Sequence, residues 1–224
     1  MAVNRPLSRQ LEPEVMDTAE DAREYDRMDH ARVNDAFVDD FLATGFGGGD
    51  VLDLGTGTAL IPILLCRRHE RCRVMAIDLA AAMLDLARLN ISLARLSERI
   101  QLSQVDAKRM PFPDGMFEAT ISNSILHHLP QGDACLAEAV RVTRPGGWLF
   151  FRDLLRPATE SRLLELVETY AGREGSRSQQ LFGDSLRAAF TLDEVRDLVA
   201  GVGFGPQHVQ ATSDRHWTFS ARKP

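Results

Sequence analysis

The sequence predicts an α/β protein with a mainly parallel sheet and helices on both of its faces. Three observations carry this. From residue 49 onward, short β-prone apolar runs alternate with helical runs, the pattern of repeated strand–helix–strand units. The stretch "VLDLGTGTAL" (51–60) reads as a strand, a tight glycine turn and the start of a helix. The end of the chain, "QHVQATSDRHWTFSARKP", reads as two strands joined by Ser-Asp. A hairpin is antiparallel, so it brings one antiparallel strand into the sheet.

The elements follow in order. Residues 12–40 are acidic, yet Val33, Phe37 and Phe41, and Val38 with Leu42, recur at helical spacing. That predicts a helix with one apolar face and a solvated charged side. "GFGGGD" (45–50) breaks it and leads to the first strand, "DVLDLG". "ALIPILLCRRH" is the next helix, with Pro62 near its first turn, where a missing N–H costs little. "RVMAID" is a second strand, "AAAMLDLARLNISLARL" a long helix and "IQLSQVD" a third strand. "FEATISNS" is a fourth strand, "DACLAEAVRVT" a helix and "WLFFRDL" a fifth strand. "RLLELVETYAG" is helical, and a Gly/Ser/Gln-rich connection is expected after it. "TLDEVRDLVAGVGF" closes the helical part, opened by a Thr191-x-x-Glu194 capping box and ended by glycines.

Bulk properties narrow the function classes. The 224 residues suffice for one substantial domain, and 44% hydrophobic with 26% charged residues is ordinary soluble composition. The net charge of −6 disfavours a nucleic-acid partner, which calls for a basic surface. No run approaches the ~18 apolar residues of a membrane helix. The first residues show no secretory h-region. Cys66, Cys72 and Cys135 fit no metal spacing and read as buried thiols, with the cytoplasm as the expected compartment.

The turn after the first strand is where chemistry concentrates. Glycines there let the backbone approach a ligand, and the helix start offers free N–H groups. A dinucleotide fingerprint would need glycine at position 60, which is Leu60. Asp53, two residues before Gly55, would repel a pyrophosphate and suits a cationic amine. Asp78 ends the second strand, where a carboxylate can accept both ribose hydroxyls. Asp106 ends the third strand, where it can take an adenine amino proton, and Asn123 ends the fourth. Ligands of open α/β sheets sit beyond the carboxyl ends of the strands, where all four polar residues fall.

These residues resemble the class I S-adenosylmethionine-dependent methyltransferases, in particular their small-molecule branch. "VLDLGTGTA" resembles the family's D-x-G-x-G-x-G motif, with Ala59 in place of the third glycine. "VMAIDLAAAML" resembles the ribose motif, "QVDAKRMPFPDGMFEATISNSILHHLP" the adenine and fourth-strand motifs, and "VTRPGGWLFFRD" the turn into strand five. The likeness covers roughly residues 48–155 well and the C-terminal strands loosely. It implies a Rossmann-like seven-stranded sheet, order 3-2-1-4-5-7-6 with strand 7 antiparallel. It implies a helical cap over residues 1–48 and a methyltransferase domain over 49–224.

The resemblance also implies residue roles. Gly55, Thr56 and Gly57 would approach the methionine portion, and Asp53 would sit under its amino group. Asp78 would bind ribose, with Leu79 and Met83 packing on adenine, although Met83 at helical spacing fits core equally well. Asp106 and Ala107 would address the adenine edge, and Asn123 and Ser124 the methyl-donor end. Tyr25 would touch the cofactor carboxylate or pack on the sheet edge. His127 and His128 could act as a base for the acceptor or simply shape the loop. No metal is expected, because neighbouring side chains tend to point apart. Trp217 could line the acceptor pocket or belong to the core.

The expected reaction uses S-adenosylmethionine, yields S-adenosylhomocysteine and methylates an O, N, S or C nucleophile of a small molecule. A homodimer is compatible with the sequence. The competing readings are a protein or RNA acceptor, a non-catalytic binder of the cofactor, and a NAD-dependent oxidoreductase. Leu60 and Asp53 demote the last.

Overall fold

The computed structural model describes residues 7–12, 18, 20, 23, 26 and 31–224. Seven strands form one sheet in the order β3-β2-β1-β4-β5-β7-β6. They are β1 (Gly49–Leu54), β2 (Cys72–Asp78), β3 (Ile100–Gln104), β4 (Phe117–Asn123), β5 (Thr143–Leu154), β6 (Val209–Ala211) and β7 (His216–Arg222). β1 pairs in parallel with β2 and β4, and β2 with β3. β6 and β7 form the antiparallel hairpin read from the sequence. Among the described residues, no helix is long and apolar enough to cross a membrane.

The chain divides into two compact units. One holds residues 16–123, 134–151 and 220–224. Its helices are α1 (Ala31–Ala43), α2 (Leu60–Arg68), α3 (Ala81–Leu93) and α4 (Asp133–Val142), the last beginning at the unit's edge. α1 buries Phe37, Val38 and Phe41, the face that its periodicity predicted. The Phe37 ring meets Phe150 edge-on at 5.1 Å, and Phe41 stacks obliquely on Phe46 at 4.8 Å. Burying a phenylalanine is worth roughly 1.5–3 kcal/mol, so this cluster is a main source of the unit's stability. Cys66, Cys72 and Cys135 are buried free thiols.

The other unit holds residues 1–15, 124–133 and 152–219. It contains a 3₁₀ turn (Leu126–His128) and helices α5 (Glu160–Ala171), α6 (Ser176–Ala188) and α7 (Leu192–Gly201). α6 corrects the expected connection. Its composition is polar, but Phe182 and Leu186 pack with Leu154, Leu163, Leu166 and Ala189. Tertiary burial of those few apolar positions overrides weak local propensity. The capping box at α7 is present: Thr191 Oγ1 accepts from Glu194 N, and Glu194 Oε2 accepts from Thr191 N. Trp217 is 1% exposed and belongs to the core.

Candidate active site

The turn after β1 is built by backbone geometry. Gly55 and Gly57 adopt φ of 68° and 53°, which glycine reaches without a Cβ penalty. Ala59 follows at φ 64° as the N-cap of α2, a left-handed position occupied by a residue with a Cβ. Its methyl is completely buried. The departure from the third glycine is therefore accommodated by packing.

Two carboxylates flank this turn. Asp78 Oδ2 accepts Gly57 N–H at 2.8 Å, and its Oδ1 accepts Ala80 N–H at 2.9 Å. Each oxygen keeps a lone pair, so both can still accept a hydroxyl. Asp53 is 2% exposed. Burial pushes its carboxyl up to about 7, against a lowering by the Thr56 hydroxyl and with a further rise from the charge of Asp78.

Asp53, Gly55, Thr56 and Asn123 line a cleft together with Asn34, Thr58, Leu60 and Ile61. The cleft holds about 330 Å³ including its open mouth. Asn123 Oδ1 and Thr58 Oγ1 are buried there with no hydrogen-bond partner among the described residues. Buried polar atoms are normally paired, so these mark where a polar ligand belongs. Sequence reasoning missed Asn34, which α1 contributes, and Thr58. Asn90 Nδ2 donates to Thr58 O at 3.1 Å and to Asp26 Oδ1 at 3.0 Å, tying this turn to the preceding chain.

The remaining candidates are more scattered. Leu79 is 59% exposed beside the turn. Met83 is buried with Ala80 in a small apolar cluster. Asp106 caps its own loop by accepting Lys108 N–H at 2.9 Å, and Ala107 is buried. Tyr25 lies outside the described residues.

Ser124, His127 and His128 belong to the second unit. Ser124 has φ 64°, and its N–H donates to Arg152 O at 2.8 Å, so its amide is already committed. His127 is 3% exposed, with Nδ1 and Asp153 Oδ1 2.5 Å apart. Burial would lower its pKa, but the charges of Asp153 and Glu12 outweigh this and raise it. His128 Nδ1 hydrogen-bonds Glu12. The two rings do not point apart: their centroids are 4.0 Å from each other.

Residues 52–151 match the family described as "Methyltransferase domain". That match spans 100 of the 224 residues. The chain is 29% identical over 185 residues to a ubiquinone/menaquinone biosynthesis C-methyltransferase of Desulfotalea psychrophila. That match covers 76% of this chain and 73% of the relative. It is 33% identical over 174 residues to a malonyl-[acyl-carrier protein] O-methyltransferase of Geobacter sulfurreducens. This second match covers 77% of the chain but only 62% of the relative. In fold, the chain is similar to a crystal structure from Methanococcus maripaludis described as a putative S-adenosylmethionine-dependent methyltransferase. The TM-score is 0.70 at 17% identity, covering 96% and 98% of the two chains. The residues present would suit the S-adenosylmethionine expected from the sequence: the buried acid at Asp53 can meet an amino group, the Asn123 and Thr58 oxygens can take further hydrogen bonds, and Asp78, beside the turn, keeps lone pairs for ribose hydroxyls.

Proposed function

We propose that the protein transfers a methyl group to a small-molecule acceptor, with the cofactor held on the turn after β1. When bound, S-adenosylmethionine supplies a sulfonium-activated methyl. The observation that carries the reading is the cleft lined by Asp53, Gly55, Thr56 and Asn123, with Asp78 beside it. Asp53 meets the amino group as a carboxylate in a dry setting, where a charge-assisted hydrogen bond is strong. Asp78 holds the ribose hydroxyls, and Asp106 with Ala107 addresses adenine. Leu79 and Met83 border the adenine side. Asn123 and Ser124 are assigned to the methyl-donor end.

Because the leaving group is already activated, the chain's main task is orientation of the acceptor. Proton removal from a hydroxyl or amine acceptor is assigned to His127 or His128. In His127 the ring is oriented by Asp153, whose Oδ1 lies 2.5 Å from Nδ1.

A small acceptor is supported by the name of the quinone-pathway C-methyltransferase relative, whereas the malonyl-[acyl-carrier protein] O-methyltransferase relative acts on a group carried by a protein. The net charge of −6 argues against RNA. The test is to incubate the purified protein with methyl-labelled cofactor and a cell extract, then separate macromolecules from metabolites. Label in the metabolite fraction supports the reading. Label confined to protein or RNA overturns it.

A further inference from the structure

The geometry points to a divalent-metal site formed by Glu12, His127 and His128, suited to zinc or another first-row transition ion. Their ligand atoms all lie within 4.8 Å of one another. Nothing in the local sequence announces this, since Glu12 and His128 are 116 residues apart.

The chain segment that brings Glu12 is firmly held. Leu7 N donates to Ala158 O and Gln10 N to Arg187 O, both at 3.1 Å. Arg9 donates to the carbonyls of Ala188 at 2.7 Å, Leu129 at 2.7 Å and Pro130 at 2.8 Å, and its guanidinium stacks 3.8 Å over Phe190. Four carbonyl contacts, counting a longer one to His127 O at 3.3 Å, satisfy that cation without any carboxylate. Glu12 is thus free to face the histidines.

The donor set has the chemistry of a metal centre. His127 Nδ1 is bound to Asp153 at 2.5 Å, and Asp153 Oδ2 also accepts the His127 backbone N–H at 3.1 Å. A carboxylate on one ring nitrogen fixes the tautomer and turns the other nitrogen's lone pair outward, the usual support for a metal-bound imidazole. That other nitrogen, Nε2, faces Glu12 Oε1 at 3.8 Å. A metal ion between that lone pair and the facing carboxylate oxygen would remove their repulsion, as a proton on Nε2 would. Glu12 Oε2 holds His128 Nδ1, and Ser185 Oγ donates to Glu12 Oε1, orienting the carboxylate.

The spacing also fits. Metal–nitrogen and metal–oxygen bonds of about 2.0–2.2 Å at a tetrahedral ion separate neighbouring ligand atoms by roughly 3.4 Å. The His127–Glu12 gap of 3.8 Å has to close by only a few tenths of an ångström, while His128 Nδ1 has to draw back from the Glu12 oxygen that it now hydrogen-bonds. Two imidazoles and one carboxylate favour zinc, cobalt, nickel or ferrous iron over magnesium or calcium. On binding, the ion replaces the proton shared between Glu12 and His128, which leaves to solvent. Three protein ligands leave a fourth position open for water or another oxygen. An ion there takes the His127 Nε2 lone pair, so metal-loaded chain cannot use His127 as a free base. The inference stands on the second unit alone and does not depend on methyl transfer.

The test uses untagged full-length protein, stripped with a chelator and titrated with Co²⁺ as a spectroscopic probe and with Zn²⁺ by calorimetry. The expected result is one ion per chain, an intense visible d–d band for cobalt, and its displacement by zinc. Glu12→Gln and His128→Ala keep the fold-forming contacts of His127 with Asp153. Each is expected to weaken zinc binding more than tenfold with an unchanged far-ultraviolet circular dichroism spectrum. No stoichiometric binding to the wild type would overturn the assignment in favour of a protonated His127 between two carboxylates. So would zinc binding that both variants leave unchanged.

Discussion

Ionisation of Asp53 should govern cofactor affinity. The carboxyl is completely buried and pushed up to about 7, so at pH 6 only about one chain in eleven carries the charge that an ammonium group requires. If the cofactor amine binds only the carboxylate, affinity at pH 6 falls about tenfold below its plateau, or ~1.4 kcal/mol. At pH 5 the loss is about a hundredfold, or ~2.7 kcal/mol. Above pH 7 the curve flattens, until the ligand's own α-amino group begins to titrate near 8. The assay is titration calorimetry with S-adenosylhomocysteine from pH 5 to 8, repeated at pH 6 in buffers of different ionisation enthalpy. The expected result is a slope near one below pH 7 and release of almost one proton per binding event at pH 6. Asp53→Asn should abolish both. It should also weaken binding at pH 8 by roughly 1.5–3 kcal/mol, the worth of a charged hydrogen bond. The linkage also has a sign in stability. A raised carboxyl stabilises the fold fully below pH 3.8, and that contribution is lost progressively up to pH 7. Asp53→Asn should accordingly raise the melting temperature at pH 8. Affinity independent of pH between 5 and 7, or a variant that keeps the slope, would refute the reasoning.

Three other outcomes are expected. His216 is pushed down to about 4 by burial and by the charges of Arg215 and Arg152. It is neutral when folded, so its stabilising effect is complete above the ordinary 6.5 and is lost as pH falls from 6.5 toward 4, by up to about 3 kcal/mol; urea melts of wild type and His216→Gln across that window should converge at pH 7.5 and diverge at pH 4.5. Thr191→Ala removes the hydroxyl of the α7 capping box and should cost about 1 kcal/mol in chemical denaturation. Ala59→Gly relieves a left-handed conformation worth roughly 1–2 kcal/mol, but loses a buried methyl worth about 0.8 and adds unfolded-chain entropy worth about 0.4–1. The terms nearly cancel, so its denaturation midpoint should lie close to wild type, and a loss above about 2 kcal/mol would show that the methyl does more than fill space.

The sheet was legible because its signals are local. The glycines of the β1 turn sit at positive φ where the sequence demanded tight turning, and Thr191-x-x-Glu194 marked a real helix start. The hairpin of β6 and β7 followed from two short runs around Ser-Asp. What escaped depends on distant partners. α6 owes its helix to Phe182 and Leu186 meeting Leu154 and Leu163, contacts that no window of its polar sequence reveals. Asn34 enters the cleft from α1, an element read only for its apolar face. The adjacent histidines were expected to diverge, but the 3₁₀ turn at Leu126–His128 and the carboxylates of Glu12 and Asp153 bring the rings together. Asp78 was expected to be a ribose ligand. In the structure Asp78 holds the turn itself through Gly57 and Ala80, a role visible only once the backbone is folded.

The account rests on S-adenosylmethionine occupying the cleft on the β1 turn with its ribose at Asp78, and titration calorimetry of wild type and Asp78→Ala with that ligand tests it most directly. Micromolar binding by the wild type, weakened more than tenfold (~1.4 kcal/mol) in a variant that keeps its circular dichroism spectrum, is the predicted result. Binding that Asp78→Ala leaves unchanged, or a wild type that takes up NAD and not S-adenosylmethionine, would contradict it.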